Sequence, residues 1–517
     1  MAATNNNSSP QVGGELGMGA IEQHLDGGHV KLHRNKAGNG HVVAQGIIAN
    51  GPLLCMGAVL TSAAIYAQGA LPLAYLLGAV LVWLWVNTPM QYSKKLASSG
   101  GMFYYVSRGV GTYLGFLAGL CYALYYTAFL AGGAVYFSVM VQSMLVQFGM
   151  RSVPEWLWVP LILAIIVPPA VLVYRGVLPS LRYGIIAGLI EILLMLITSI
   201  VIVVLAGHSN TTSVFTPTYA RGGISGIGVG LLLAAFGMSG STATIFLGHE
   251  AKLPHRAVRR GLVLSTAAVA VIMVFVAYAL TIGWGPAHMG TFANSSIPGL
   301  LVIHKFMGTG MELLVAVFMA NSIVSAIIAS TLVVSRVTHV MSVAGLFPKS
   351  FRDVDPRSGT PRVAVLACLG TAAAGAIGAG VIWGPVTAFT VLILVATMGE
   401  FVGHILGNLA LPFFAHSRQV VRVVVHIVLP MLSLVTIGIG IFYTFFPVVV
   451  PLIWGPVVFL IGLAIGTVFY VSKRISMDTE GRAALKVLIA KLGLDTDDGA
   501  APSLDKPALV YSDSVKG

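Results

Sequence analysis

The sequence predicts an all-α integral membrane protein with twelve transmembrane helices. Hydrophobic residues make up 57% of the 517 residues and charged residues only 9%, whereas an average soluble domain contains about a quarter charged residues. The hydrophobic residues are also gathered into long apolar runs, and a hydrocarbon core about 30 Å thick requires roughly 20 such residues per helix.

Twelve such runs divide the chain into a membrane domain at 41–472, a disordered cytoplasmic tail at 1–40 and a cytoplasmic tail at 473–517. The second tail contains GRAALKVLIAKLG, which indicates a short amphipathic surface helix. The predicted spans are 42–68, 71–93, 112–147, 155–174, 182–206, 223–249, 258–285, 309–343, 363–383, 386–414, 423–446 and 450–472.

The basic residues predict the orientation. Sixteen Lys and Arg residues flank the even-numbered connections, whereas the odd-numbered connections contain only Arg151, Arg221 and Lys305. Because basic residues are enriched in cytoplasmic loops, both termini are predicted to lie in the cytoplasm of a plasma membrane protein.

The formal net charge of +12 does not indicate a nucleic-acid partner, because the basic residues are distributed between apolar segments. The three cysteines lie in apolar runs without ligand-like spacing, which predicts neither a disulfide framework nor a metal site. His24, His29 and His33 stand in a polar tail without Cys or acidic partners and are expected to be solvated. We therefore expect no metal and no cofactor.

Two predicted spans are interrupted by residues that form α-helices poorly. The first contains QGIIANGPLLCMG, with Asn50, Gly51 and Pro52 inside an apolar run, and the sixth contains the GMSGST stretch at 237–242. Proline removes a backbone donor and glycine permits unwound geometry, so a break is predicted in each helix. Unpaired backbone at membrane depth is tolerated only where it lines a polar cavity or is buried in protein.

Two interpretations of these clusters are open. Small residues also pack helices closely, and a single cluster is most simply explained that way. Two clusters about 190 positions apart, each in the first helix of a five-helix unit, instead favour a midplane site in a 5+5 inverted repeat, followed by helices 11 and 12. The predicted substrate-binding residues are Ala49, Asn50, Gly51, Pro52, Ser239, Gly240, Ser241 and Thr242.

Three segments carry longer motifs. They are KLASSGGMFYYVSRGVG at 95–111, GMSGSTATIFLGHEAKLPHRAVRRG at 237–261 and NSIVSAIIASTLVVSRVTHVMSVAGLFPKSFRDVDPRSGTPRVAV at 321–365. In this order they resemble the signatures after helix 2, in helix 6 and in helix 8 of the amino acid–polyamine–organocation superfamily. The resemblance covers most of 42–472.

This resemblance implies a secondary active transporter that moves amino acids or related amines by alternating access, coupled to a proton or cation. It also implies that Asn321 and Ser325 take part in ion coupling. The chain departs from the family pattern at the predicted substrate site. It has ANGP at 49–52 in place of Gly-x-Gly-Ile, and Ser241 and Thr242 where many members carry Phe and Glu.

Ionisable residues inside a span are costly and indicate function. Glu191 lies in predicted helix 5, where the family often carries a lysine in place of a coupling sodium, so it could bind a cation or proton or pair with a neighbouring helix. Glu400 and His404 are four residues apart on one helical face and could share a proton, meet a cationic substrate group or form a structural hydrogen bond.

Near the cytoplasmic ends, Arg336 and His339 are expected to snorkel to the interface or to close an inner gate. Glu250 is expected to pair with the basic inner loops.

Competing functions have weaker support. HEAKL at 249–253 lacks the second histidine of a zinc protease, and GMSGS at 237–241 lacks the last glycine of a nucleophile elbow, so we predict no enzyme. A transporter of a polyamine or another small organic substrate, or a nutrient sensor on the same fold, remains an alternative. The expected partners are a small-molecule substrate, a coupling proton or cation and membrane lipid, without nucleic acid.

The predicted orientation can be tested by cysteine labelling. Single cysteines at Ser209 and Ser295 should react with an impermeant thiol reagent applied to intact cells, because both positions fall in predicted outer loops. A cysteine at Ser350, in a predicted cytoplasmic loop, should react only after the cells are permeabilised. The reverse labelling pattern would invert the topology.

Overall fold

A computed structural model describes residues 32, 36–220, 223–445, 450–451, 453–477 and 479–495, and most of these form a bundle of α-helices. Most of the two predicted tails lies outside the described residues, together with Arg221 and the three tail histidines. The first half of the bundle comprises α1 (Asn39–Ile48), α2 (Pro52–Gly57), α3 (Val59–Ala67), α4 (Leu71–Ser93), α5 (Met102–Val110), α6 (Thr112–Gln147), α7 (Trp158–Tyr174) and α8 (Val177–Ala206).

The second half begins at the other interrupted span. Its elements are α9 (Ile224–Phe236), a 3₁₀ helix (Gly240–Leu247), α10 (Pro254–Trp284), α11 (Met289–Ala293), α12 (Pro298–Val343), α13 (Arg362–Trp383), α14 (Pro385–Ser417), α15 (Leu429–Phe445), α16 (Trp454–Ile475) and α17 (Thr479–Lys491).

Eleven segments of the described chain are long and apolar enough to cross a membrane, so this is an all-α multi-pass membrane protein. The count is one fewer than the twelve predicted spans. The first predicted span is divided among α1, α2 and α3, of 10, 6 and 9 residues, and each is too short to cross alone. Its last piece is continuous with the next helix, and the two count together as Val59–Ser93.

The interrupted segments lie at the centre of the bundle. In Ile224–Leu247, 83% of the most apolar window is buried, compared with 28% in Val424–Phe442 and 22% in Trp454–Ile475. The last two membrane-spanning helices, α15 and α16, are therefore peripheral, and most of their side chains in these windows are not buried against the protein. Lipid would cover such a surface in a membrane protein.

Two short strands and the helix α17 form a small layer at one end of the bundle. Strand β1 (Leu96–Ala97) pairs antiparallel with β2 (Leu494–Asp495), close to the end of the described chain. Helix α17, which includes most of the predicted amphipathic segment, buries Leu485 and Ile489. These residues are four positions apart and therefore lie on one helical face.

Residues 36 and 37, which fall within the predicted N-terminal tail, are paired with the bundle at the same end. The amides of Lys36 and Ala37 donate to the carbonyl of Glu250, at 2.9 and 2.8 Å. The amide of Lys252 in turn donates to the carbonyl of Ala37.

The described residues contain neither a disulfide nor a group of side chains suited to bind a metal. Cys55, Cys121 and Cys368 are buried and unbridged. No three His, Cys, Asp or Glu side chains among the described residues are grouped as metal ligands.

Candidate functional site

The break in the first span is centred on Gly51. Helix α1 ends at Ile48, and Gly51 has φ 56° and ψ 67°, a left-handed conformation that glycine adopts without steric cost. Pro52, which has no amide proton to satisfy, then begins α2. The carbonyl of Asn50 accepts a hydrogen bond from the Cys55 thiol at 2.9 Å. The break therefore has a defined geometry.

The break in the sixth span begins where α9 ends. The hydroxyl of Ser239 donates to the carbonyl of Phe236 at 2.8 Å and so satisfies an acceptor at the helix end. Beyond it the chain continues as the 3₁₀ helix Gly240–Leu247, and the second half of the predicted helix is not α-helical. A 3₁₀ helix has poorer hydrogen-bond geometry than an α-helix, and longer stretches of it often mark hinges.

The side chain of Asn50 joins the two breaks. Its Nδ2 donates to the carbonyl of Gly237 at 2.6 Å, and its Oδ1 accepts from the amide of Gly240 at 2.9 Å. Asn50 is only 3% exposed, so both hydrogen bonds are sheltered from water. One primary amide thus satisfies a donor and an acceptor released by the broken helix opposite it.

Gly240 is required for a close approach between the two breaks. A Cβ atom there would lie 2.5 Å from the amide nitrogen of Asn50 and 2.6 Å from its Cα. Gly240 is not among the residues with positive φ, unlike Gly51. Close packing, which the sequence left open as an alternative, therefore explains this glycine. Backbone conformation explains Gly51.

The structure brings the eight predicted substrate residues together in two adjoining buried segments, 49–52 and 239–242. Their hydroxyls are already engaged. Thr266 donates to Ser241 Oγ at 2.7 Å, and Thr242 Oγ1 lies 3.2 Å from the hydroxyl of Tyr126 on α6. A ligand that binds here has to exchange partners with these groups or to use the backbone.

A second cluster lies beside the first break and contains Glu191. This carboxylate on α8 is fully buried and accepts a hydrogen bond from Ser322 on α12 at 2.7 Å. The amide of Leu54, in the first turn of α2, donates to the same serine hydroxyl at 3.3 Å. The other carboxylate oxygen of Glu191 has no hydrogen-bond partner in the described part of the chain.

Asn321 and Ser325 lie next to this cluster. The hydroxyl of Tyr183 donates to Oδ1 of Asn321, and the hydroxyl of Ser325 donates to the carbonyl of the same residue at 2.9 Å. Ser322 was not among the predicted ion-coupling residues, although it follows Asn321 in the quoted motif. The motif alone gave no indication that the hydroxyl of Ser322 donates to Glu191.

A third cluster contains Glu400 and His404 on α14, both fully buried. Nε2 of His404 lies 3.8 Å from Oε1 of Glu400, which is too far for a hydrogen bond. None of the four polar atoms of the pair has a hydrogen-bond partner among the described residues. Buried polar groups left unpaired cost about 1–3 kcal/mol each, which makes this pair a candidate functional site.

Aromatic rings enclose the Glu400–His404 pair. The rings of Trp85 and Tyr122 have their centroids 5.7 and 6.3 Å from that of His404. Tyr125 and Tyr126 continue the aromatic surface along α6, with centroids 4.2 Å apart. These tyrosines are not among the predicted site residues, although their positions three and four residues after Tyr122 put them on its face of the helix.

No described hydrogen bond or ion pair joins the Glu191 cluster to the Glu400 cluster. The predicted ion-coupling residues therefore form two separate groups. Glu191 lies at the break of the first span. Glu400 lies at the break of the sixth span, next to Ser239.

A buried ion pair lies at the end of the bundle that carries β1 and β2. Arg336 donates to Glu250 from Nη2 at 3.1 Å and from Nε at 3.3 Å, and both side chains are fully buried. The expectation that Arg336 snorkels to the interface is therefore wrong. Glu250 pairs with a helix and not with the basic loops, because Arg336 presents a two-pronged donor at the correct depth.

The link through Asn50 can be tested by removing its amide. Asn50→Ala leaves the Gly237 carbonyl and the Gly240 amide buried without partners, at a cost of about 1–3 kcal/mol for each group. We expect a clear fall in the thermal unfolding midpoint of the purified protein. Gln142→Ala is the matched control, because the Gln142 amide donates within its own helix to Ser138. Equal stability of the Asn50 variant and the wild type would show that the link contributes nothing.

Comparison with known families adds to this geometry. The amino acid permease family model matches residues 42–470, which include both breaks and all three clusters. A comparison with curated proteins gives no match. Members of this family are transporters and not enzymes, and the matched range covers most of the chain. The chain belongs to the amino acid permease family.

Proposed function

We propose that this permease moves amino acids or related amines across the plasma membrane by alternating access, driven by a proton or another cation. The observation that carries the proposal is the pairing of two broken helices through Asn50. Discontinuous helices that meet at the centre of a bundle provide the polar groups a small zwitterion requires.

The proposed architecture has twelve transmembrane helices. In this architecture the pieces at 39–67 form a single broken helix. Each of the two broken helices is the first helix of a five-helix unit, and the two units have opposite orientations in the membrane. Helices α15 and α16 follow the second unit along the chain and are therefore assigned as helices 11 and 12 outside the repeat. Both termini are assigned to the cytoplasm on the basis of the basic loops.

The substrate site is assigned to residues 49–52 and 239–242. A carboxylate can accept from the Gly240 amide in place of the Asn50 side chain, and an ammonium group can donate to the Gly237 carbonyl in the same way. The Asn50 amide thus occupies the positions of both charged groups of an amino acid. Substrate binding would exchange these two hydrogen bonds, which links occupancy to the relative positions of the two breaks.

Coupling is assigned first to Glu191, with Asn321 and Ser325 nearby. Its carboxylate is hydrogen-bonded through Ser322 to the first turn of α2. A proton or cation bound here would alter a group that is joined to the broken helix through a single serine hydroxyl. Such a contact is the kind of local change that can bias a two-state transition.

Glu400 and His404 are assigned to a cationic group of the substrate or to a second coupled proton. The surrounding tyrosines and Trp85 favour a cation, because aromatic faces attract positive charge within about 6 Å. The Arg336–Glu250 ion pair is assigned to the closed cytoplasmic gate. Opening that side requires the two buried charges to separate or to move together.

Transport in reconstituted vesicles is the direct test. Labelled amino acids and polyamines are offered to proteoliposomes with and without an imposed proton gradient. Accumulation of an amino acid or amine that depends on the gradient supports the proposal. Uptake of a different organic solute favours the alternative substrate classes, and binding without any transport favours a nutrient sensor.

Glu191→Gln keeps the shape of the side chain and removes its titration. We expect the variant to lose gradient-driven accumulation while it retains substrate binding and exchange, because the Ser322 hydroxyl can still donate to the amide oxygen. Uphill uptake and counterflow exchange are measured on the same vesicles. If the variant concentrates substrate with the wild-type pH dependence, Glu191 is a structural partner only.

Glu400→Gln tests the cation assignment. A charged hydrogen bond contributes about 1.5–3 kcal/mol, so affinity for amines with a second cationic group should fall at least about tenfold while affinity for neutral amino acids changes little. The control is Glu312→Gln, which alters another fully buried carboxylate that is paired with His304 and Gln147. An equal loss for neutral and cationic substrates would contradict the assignment.

A further inference from the structure

A cavity of about 710 Å³ lies where α5, α6, α16 and α17 meet. It is separate from the substrate site and on the same end of the bundle as β1 and β2. Under the proposed orientation this end faces the cytoplasm. None of the residues that line it is assigned to the proposed substrate site, coupling sites or gate.

Four basic side chains line this cavity. Arg108 comes from the end of α5 and Arg474 from the end of α16, and Arg482 and Lys486 come from α17. The last two are four residues apart and share a helical face. None of the described residues that line the cavity is acidic. The cavity is therefore suited to an anion.

The first turn of α6 adds backbone donors to the same cavity. Thr112, Tyr113 and Leu114 line it, and they belong to a helix of 36 residues. The first amides of a helix have no intrahelical partner, and the helix dipole places positive charge there. At Gly111 a Cβ would meet no atom within 4 Å, so the approach to these amides is open.

The inner wall of the cavity is aromatic and apolar. The rings of Tyr113 and Tyr470 pack with centroids 5.2 Å apart, and Tyr470 is 2% exposed. Leu485 and Ile489 of α17 are buried on the other side. An occupant therefore meets positive charge at the mouth and an apolar surface beneath it.

We infer that this cavity binds a phosphate-bearing ligand, and that an anionic phospholipid headgroup with part of its acyl chains fits it best. Arginine donates to phosphoryl oxygens in pairs, and helix N-termini accept phosphate directly. Basic pockets between transmembrane helices at the cytoplasmic side are suited to anionic lipid headgroups. The apolar wall favours a lipid over a free phosphate.

Occupancy would have a structural consequence. The ligand would touch α6 and α16 of the bundle and α17 of the C-terminal segment at the same time. It would hold α17, and with it the β1–β2 pairing, against the membrane domain.

The inference is tested by binding to the purified full-length protein in detergent. Dioctanoyl phosphatidylglycerol, dioctanoyl phosphatidylcholine and inorganic phosphate are titrated separately at low ionic strength. We expect the anionic lipid to bind at least about tenfold more tightly than the zwitterionic one, and its affinity to fall as salt rises. Competition by inorganic phosphate would assign the site to phosphate chemistry in general, and its absence would assign the site to lipid.

Matched variants locate the binding. Arg474→Gln combined with Arg482→Gln should weaken the anionic lipid about thirtyfold, since each basic residue near a membrane surface contributes about a factor of five. Arg474→Lys combined with Arg482→Lys keeps both charges and should retain most of the affinity. Lys473→Gln is the control, because Lys473 is next to Arg474 but packs over Phe469 and does not line the cavity.

Three results would overturn the inference. The first is equal binding of the two lipids with no binding of phosphate. The second is wild-type affinity in the double Gln variant. The third is an equal loss in the double Lys variant or in Lys473→Gln. Gel filtration and the unfolding midpoint establish that each variant is folded, and binding is measured without reference to transport.

Discussion

The structure depends on how backbone groups are satisfied at the two breaks in the centre of the bundle. A broken helix in an apolar environment leaves donors and acceptors that water cannot reach. Here the Asn50 side chain supplies a donor and an acceptor to the opposite break. Gly240 lets the two segments of the chain approach closely enough for these hydrogen bonds to form. The eight predicted substrate residues lie in these two segments, and the side chain of one of them, Asn50, completes the second break.

Each of the two acidic clusters adjoins one of the two breaks. Glu191 reaches the first break through Ser322, and Glu400 adjoins the second break at Ser239. Both carboxylates retain unpaired oxygens in the described part of the chain. The proposed coupling therefore needs no long pathway, since each carboxylate is one or two contacts from a backbone segment that has to move.

Much of the fold could be predicted from apolar runs. The predicted span at 112–147 has the same bounds as α6, and the positions of both breaks follow from Pro52 and the glycine-rich stretch near Gly240. Contacts between distant residues could not be predicted. Asn50 and Gly240 are 190 positions apart, and Arg336 and Glu250 are 86 apart. The position of Arg336 near the end of a predicted span suggested that it snorkels, whereas in the structure the buried carboxylate of Glu250 holds it.

The hydrogen bond from Cys55 to Asn50 makes one native thiol part of the central break. All three cysteines are buried and unbridged, so the protein carries no exposed thiol of its own among the described residues. Two of them pack within continuous helices, but Cys55 is in the short helix that begins at Pro52. A rearrangement of that helix would change the surroundings of one sulfur atom and leave the other two as internal references. The chain thus contains a natural spectroscopic probe at the position where its conformations are proposed to differ.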